Sequence, residues 1–168
     1  MAVSLPEWFE GGFTDTEAAI CDYFEWLLGD EVFVCTWLPP GHYQPTHEPI
    51  GGTQPTLRIW RQPGKFNSEI RTDESLVQIA AIAQTRSDAW QLIEFVRRMM
   101  DPLVFERFPI PRKDGSVTKF SCVEEWLGPQ QIPEGIIDDK FIPVTYKLPI
   151  RERRNLPNYR QILTNLPS

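Results

Sequence analysis

The sequence predicts an α+β fold: one mostly antiparallel sheet with two amphipathic helices packed on one face, plus a hairpin insertion and extended N- and C-terminal arms. Two segments space their apolar residues as helices do, and several others alternate apolar and polar residues as strands do. Their order is helix, strand, strand, strand, helix, hairpin, strand, without the regular alternation of a parallel sheet. Since 168 residues is the length of one domain, we assign residues 1–150 to a single domain and residues 151–168 to a basic C-terminal arm.

The first helix is predicted to follow an aromatic and acidic N-terminal arm at residues 1–13. Thr14 and Glu17 have the spacing of a capping box, in which each side chain accepts a hydrogen bond from the other residue's backbone amide. Gly29 can take the left-handed conformation that ends a helix. The apolar residues between these signals recur at helical spacing, at Ile20, Tyr23, Phe24, Leu27 and Leu28.

Two strands and a long loop are predicted next. The segment Glu31–Leu38 is apolar on both faces, which favours a central strand or one covered by a neighbouring subunit. Residues 39–55 form a proline-rich loop, and loops of this length are usually functional. The segment Thr56–Gln62 alternates as a strand with one wet face, and Pro63 with Gly64 predicts a turn.

A third strand and the second helix follow. Small and apolar residues alternate over Leu76–Gln84, which leaves room for a helix to lie close to that strand. Ser87 is the predicted N-cap of the helix, and Asp101 with Pro102 is predicted to end it. One apolar stripe runs along the helix and consists of Ala89, Leu92, Ile93, Val96, Met100 and Leu103.

The remainder is predicted to be a hairpin and a final strand. Residues 104–135 form a proline-rich insertion, with a turn at 113–116 between two short strands. The last strand runs from Ile142 to Ile150, and Pro143 and Pro149 indicate an edge strand because proline lacks a ladder donor. After this strand the apolar residues follow neither helical nor strand spacing, which is typical of an extended arm.

Charge is divided unevenly along the chain. The net charge is −6, yet all 17 Lys and Arg residues lie after residue 57. This acidic first third is either the solvated surface of a helix or a negative surface that repels nucleic acid or meets a basic partner. The overall charge argues against stable duplex binding, which requires a basic face. The acids before residue 58 are Glu7, Glu10, Asp15, Glu17, Asp22, Glu25, Asp30, Glu31 and Glu48.

Composition also bears on location and redox chemistry. The sequence contains neither a secretory signal pattern nor an apolar run long enough for a membrane span, so we expect a protein that stays where it is made, without membrane contact. Cys21, Cys35 and Cys122 are an odd number without CxxC spacing, which argues against a disulfide framework. We interpret all three as buried apolar thiols, with a reactive thiol as the alternative.

Motifs for catalysis are absent from the sequence. It contains no phosphate loop, dinucleotide fingerprint, nucleophile elbow or HExxH motif, so we predict no enzyme, no catalytic residue, no metal and no cofactor. His42, His47 and Glu48 leave one alternative open, a small metal-dependent hydrolase. The carboxylate pairs Glu124-Glu125 and Asp138-Asp139 are interpreted as solvated charges because adjacent strand residues point to opposite faces.

Candidate functional residues are instead those of contact surfaces. Tryptophans on strands are explained most simply by a covering subunit, and a basic arm can dock an acidic partner. The loop histidines are candidates for the same role. The predicted subunit or partner interface contains Trp37, His42, His47, Arg58, Trp60, Arg151, Arg153, Arg154 and Arg160.

One region resembles a known family. The segment from Gln54 to Met100 contains an arginine-bearing strand, a strand of small and apolar residues, and a Thr-Arg-x-x-Ala-Trp junction into an amphipathic helix at residues 85–90. This segment, together with a final strand running into Arg151, resembles the tail terminator or tail-completion proteins of long-tailed phages, especially those infecting actinobacteria. The sequence departs from the pattern of this family at three places. Pro63-Gly64 stands where a double glycine is common, and the N-terminal arm and residues 104–135 are the other two departures.

The resemblance implies a phage structural protein made in the host cytoplasm and located in the virion at the head–tail junction. It implies a homohexameric ring that stops polymerisation of the tail tube and joins the tail to the head. The implied partners are copies of itself, the major tail tube protein and head–tail connector or stopper proteins, while DNA passes through the lumen without specific binding. The alternatives are another neck protein, such as a stopper or adaptor, or a cellular adaptor or immunity module.

Overall fold

The structure is a computed structural model that describes residues 3–38, 54–130 and 141–165. Within these residues the main sheet has five strands in the order β1-β2-β3-β7-β6, and a two-stranded hairpin forms a second sheet. The predicted α+β class is confirmed. The elements are α1 (Thr16–Leu28), a 3-10 turn (Gly29–Glu31), β1 (Phe33–Cys35), β2 (Thr56–Asn67), β3 (Thr72–Ile82), α2 (Arg86–Phe105), β4 (Ile110–Pro111), β5 (Val117–Thr118), β6 (Glu124–Leu127), β7 (Phe141–Arg151) and α3 (Tyr159–Asn165).

The register of the sheet defines two ends. All pairs are antiparallel except β1 with β2, which run parallel. Thr56, Ile82 and Phe141 are register partners at one end, which we call the Phe141 end. At the other, the Arg151 end, Thr72 pairs with Arg151. The 3-10 turn that precedes β1 therefore lies at the Phe141 end, because β1 and β2 start together.

One face of the sheet, the inner face, carries both long helices. Alternation along β2, β3 and β7 brings their apolar residues to this face, as the sequence pattern predicts. Ile20 of α1 and Val96 of α2 are fully buried in the same core. Burying one such side chain stabilises the fold by about 1.5–3 kcal/mol. The sheet contributes Leu57, Ile59, Val77, Ile79, Ala81, Ile142, Val144, Tyr146 and Leu148 to this core.

Both helices begin at other caps than predicted. Asp15, not Thr14, caps α1 and accepts a hydrogen bond from the amide of Ala18 at 3.1 Å. Glu17 is not part of a capping box, because its carboxylate accepts a hydrogen bond from the Arg61 amide of β2 at 2.6 Å. At α2, Thr85 rather than Ser87 is the N-cap.

The second helix also ends later than predicted. Pro102 lies inside α2, which continues to Phe105. The amides of Glu106 and Phe108 both donate to the carbonyl of Pro102, at 3.1 and 3.3 Å. A proline in the last turn of a helix can still provide its carbonyl as an acceptor, so it need not end the helix.

The predicted turn at Pro63-Gly64 is wrong, since β2 continues to Asn67. A bulge between Gln62 and Lys65 interrupts the register, which places Pro63 where no ladder donor is needed. Gly64 is required there because a Cβ atom would lie 2.5 Å from the carbonyl oxygen of Glu74. The chain reverses only after Asn67, and β3 begins earlier than predicted, at Thr72.

Two strands have other positions in the sheet than predicted. The segment 31–38 forms only the short strand β1, at an edge rather than in the centre. The last strand, β7, lies between β3 and β6 and is not an edge strand. Its prolines are tolerated because β6 pairs only with Thr145–Lys147, so Pro143 and Pro149 lie beyond that ladder.

The hairpin and the termini complete the domain. β4 and β5 pair around the predicted turn, where Gly115 has a φ of 79°. The C-terminal segment includes the short helix α3, which the sequence period does not indicate. The Tyr159 hydroxyl donates to the carbonyl of Gly11 at 2.7 Å and accepts from the amide of Glu10 at 3.2 Å. The two terminal segments are therefore held together.

Candidate interaction surfaces

The outer face of the sheet, opposite the helices, carries a cluster that we call the aromatic patch: Trp37, Arg58, Trp60 and Phe141. Alternation along β2 places Arg58 and Trp60 on this face because Leu57 and Ile59 enter the core. The guanidinium carbon of Arg58 lies 4.4 Å from the ring centroid of Trp60 and 5.9 Å from that of Trp37. The Trp60 and Phe141 centroids are 6.4 Å apart.

The aromatic patch is incompletely covered and incompletely hydrogen-bonded. The Trp37 residue is 79% exposed. The Nε of Arg58 is buried, yet it has no hydrogen-bond partner within the described residues. A buried donor without a partner costs about 1–3 kcal/mol, and Trp and Arg are the residues most enriched at binding hot spots. These are the properties of a surface that a partner could complete.

The cysteines differ from one another in environment. Burial raises the pKa of the Cys35 thiol, while the neighbouring Arg58 guanidinium opposes this shift. Burial, followed by the nearby carboxylate of Glu17, raises the pKa of Cys21 to about 12. The prediction that all three thiols are buried is wrong: Cys21 and Cys35 are only partly buried, and Cys122 is exposed because it lies in the open connection before β6.

A second surface, which we call the basic groove, lies at the Arg151 end. It has a volume of about 670 Å³, and its lining includes Lys119, Arg151, Arg153 and Arg154. All four side chains are exposed. None of them lies within 4.0 Å of a carboxylate among residues 3–38, 54–130 and 141–165. Glu152, between two of these arginines, pairs instead with Arg71 at 2.6 Å.

The acids of the first third fall into two groups. Some are used within the fold: Asp22 pairs with Arg112 at 2.5 Å, and Glu25 pairs with Lys113. Others are exposed and make no ion pair with any described residue, namely Glu7, Glu10, Asp30 and Glu31. Asp30 and Glu31 lie in the 3-10 turn at the Phe141 end.

The structure therefore separates the predicted interface residues into groups. Trp37, Arg58 and Trp60 come together, and so do Arg151, Arg153 and Arg154. Arg160 belongs to α3 and lines a neighbouring groove with Arg71 and Tyr159. His42 and His47 lie outside the described residues.

The sequence did not lead us to predict two residues of these surfaces, Phe141 and Lys119. Phe141 precedes the predicted start of the last strand, but its alternation with Ile142 could have placed it on the outer face. Lys119 reaches the basic groove only through the fold of the hairpin, so no local signal marks it.

A third concavity lies between α2 and the edge of the sheet, with a volume of about 330 Å³. Arg97 donates to Glu94 and Glu125 there, at 2.8 Å in each case, and these hydrogen bonds raise its pKa. Burial raises the pKa of Tyr146, whose hydroxyl has no hydrogen-bond partner among the described residues. The carboxylates of Glu94 and Glu125 are thus both hydrogen-bonded to Arg97.

The described residues form neither a candidate metal site nor a helix that could span a membrane. None of their groups of His, Cys, Asp and Glu has three or more members placed to hold a metal ion. The candidate ligand Glu48, like the histidines beside it, lies outside these residues, as does the Asp138-Asp139 pair. Of the helices that the structure describes, none is both long and apolar enough to cross a lipid bilayer.

Comparison with known proteins identifies a family whose model matches most of the chain. The family described as phage tail termination protein matches residues 12–157, which include the two long helices and the seven strands that the structure describes. The matched region therefore extends well beyond the segment whose motif resembles tail terminators. No curated protein matches the sequence.

Proposed function

The chain belongs to the phage tail termination protein family, and from this premise we propose that it forms the ring that closes the head-proximal end of the tail tube. In this role it stops further polymerisation of the tube and joins the tail to the head. The partners are copies of the chain itself, most simply six in a ring, the major tail tube protein and the connector or stopper proteins of the neck. It acts in the virion at the head–tail junction, as a structural protein rather than an enzyme.

The aromatic patch is the observation that carries this proposal beyond family membership. A ring requires two different complementary surfaces on each subunit, because every contact is repeated in one direction. A neighbouring copy over the patch would cover Trp37 and could provide an acceptor for the Nε of Arg58. Such a contact removes apolar surface from water and satisfies a buried donor, and both effects favour association.

The charge of the chain supports the passage of DNA through such a ring. With a net charge of −6, the protein as a whole has an excess of acids, and stable capture of a duplex requires a net basic surface. Exposed acids such as Glu7 and Glu10 have no basic partner among the described residues and can contribute a negative lumen. DNA would then pass without exchanging its counterions for protein cations.

Native mass spectrometry and tube capping test the proposal. We expect the purified chain to form a closed ring and, when added to polymerising tube protein, to stop extension. Gold-labelled chain should then lie at one tube end in electron micrographs and at the head–tail junction of virions. A chain that stays monomeric and leaves tube length unchanged contradicts the proposal.

Two matched variants test the aromatic patch within this experiment. Trp37→Ala should weaken self-association at least tenfold, which corresponds to about 1.4 kcal/mol, without lowering the thermal midpoint of unfolding. Phe105→Ala is the control, because Phe105 is 83% exposed at the end of α2, on the helix side of the sheet. If both variants associate as tightly as the unchanged chain, the aromatic patch is not part of the interface.

A further inference from the structure

The two ends of the sheet carry exposed charges of opposite sign. Asp30 and Glu31 lie at the Phe141 end, and the basic groove lies at the Arg151 end. The 11 residues of β7 connect these ends, and at about 3.3 Å per residue they separate them by about 33 Å. The charges therefore cannot meet within one molecule.

Within the described residues, neither set of charges makes an ion pair within 4.0 Å, although Arg153 interacts at longer range with the exposed carboxylate of Asp114. The four cations of the basic groove stand close together and repel one another, so an approaching carboxylate relieves this repulsion. The 3-10 turn presents two adjacent carboxylates on exposed side chains. Because this turn is short and connects α1 with β1, little conformational entropy is lost when it docks.

We propose that the basic groove is the docking site for the Asp30–Glu31 turn of a second copy of this chain. The inference rests on the proposed ring and names one pair of surfaces that meet in it. The contact is heterologous, because each copy offers its groove to one neighbour and its acidic turn to the other. Repetition of this contact closes a ring when the rotation between copies allows it.

Two other exposed acids do not fill the groove. Glu7 and Glu10 belong to the N-terminal arm, which Tyr159 of α3 holds through the backbone of Glu10 and Gly11. Their carboxylates make no ion pair with Arg151, Arg153 or any other described residue. The turn at the opposite end is thus the acidic surface that only another molecule can bring to the groove.

Charge reversal on each side, followed by mixing, tests the inference. One variant carries Arg153→Glu and Arg154→Glu, and the other carries Asp30→Arg and Glu31→Arg. Each alone should associate at least tenfold more weakly than the unchanged chain, measured by analytical ultracentrifugation at low and high salt. An equimolar mixture should associate again, in assemblies with even numbers of copies, because each altered surface then meets a complementary one.

The control is Arg98→Glu, which makes the same kind of charge reversal at a single exposed residue of α2, away from both surfaces. It should leave association unchanged, and all variants should keep the thermal midpoint of the unchanged chain. If the unchanged chain associates while both double variants associate equally well, the inference is overturned and the proposed function stands. If only the groove variant is impaired and mixing restores nothing, the groove binds an acidic surface of the neighbouring copy other than the Asp30–Glu31 turn, and the inference is again overturned.

Discussion

Arg112 donates a hydrogen bond from its Nε to Oδ2 of Asp22 at 2.5 Å, and each of these side chains is only 11% exposed. The pair joins the hairpin of β4 and β5 to α1. Arg112 also reaches the hydroxyl of Thr118 and the carbonyl of Asp15, both at 3.4 Å. One guanidinium therefore connects the strand that follows the turn with the cap and middle of the first helix.

We predict that Arg112→Ala lowers the free energy of unfolding by about 3 kcal/mol, because Asp22 is left buried without its cation. Urea denaturation measures this. Lys113→Ala is the control: its ion pair with Glu25 is largely exposed on the lysine side, so we expect a loss below about 1 kcal/mol. Similar losses for the two variants would mean that the Arg112 pair does not hold the hairpin.

Val96→Asp is predicted to prevent stable folding. Val96 is 0% exposed on the inner side of α2, so the substitution buries an unpaired carboxylate in the core. Circular dichroism and thermal melting check the outcome. The control is Arg98→Asp, on the exposed side of the same helix. Its free energy of unfolding should lie within about 0.5 kcal/mol of that of the unchanged chain. A soluble Val96→Asp variant with a cooperative transition contradicts the burial of this face.

Tyr159→Phe is predicted to release the N-terminal arm. The substitution removes the hydroxyl that bonds Gly11 and Glu10, at a cost of about 1 kcal/mol, but keeps the ring that packs 5.7 Å from Phe9. Limited proteolysis should therefore cut residues 3–13 several times faster than in the unchanged chain. Leu163→Ala alters an exposed residue of the same helix and serves as control. Unchanged cleavage would show that the ring contacts alone hold the arm.

Cys21 should react slowly and should make stability depend on alkaline pH. Because burial raises its pKa to about 12, above the usual value of 9.0, the folded state favours the protonated thiol. This contribution is complete below about pH 9 and is lost as pH rises towards 12. We expect the difference in free energy of unfolding between the unchanged chain and Cys21→Ala to be smaller at pH 11 than at pH 8. At pH 8, mass spectrometry should find iodoacetamide on Cys122 before Cys21, and the opposite order contradicts this environment.

The sequence predicts those elements whose period is set by a single buried face. The stripe of α2 and the alternation of β3 both face the same core, so their patterns are regular. The family resemblance, drawn from the Thr85–Trp90 junction between these two elements, is confirmed by the match over residues 12–157.

Other features depend on partners that are distant in sequence. Pro63-Gly64 predicts a turn by local rules, but pairing with β3 converts it into a bulge. The prolines of β7 indicate an edge strand, but the short β6 pairs between them. The basic groove combines Lys119 with the C-terminal arginines only after the hairpin and β7 have folded, so spacing along the chain cannot reveal it.

The flanking strands of the main sheet are short: β1 has three residues and β6 has four, with an irregular register. Short or irregular edge strands disfavour the edge-to-edge β-strand pairing between chains that leads to aggregation. Any contact between copies of this chain would then be made through side chains rather than through paired backbones. Such recognition can be adjusted by single substitutions, so this protein and its neighbours can coevolve without changing the sheet.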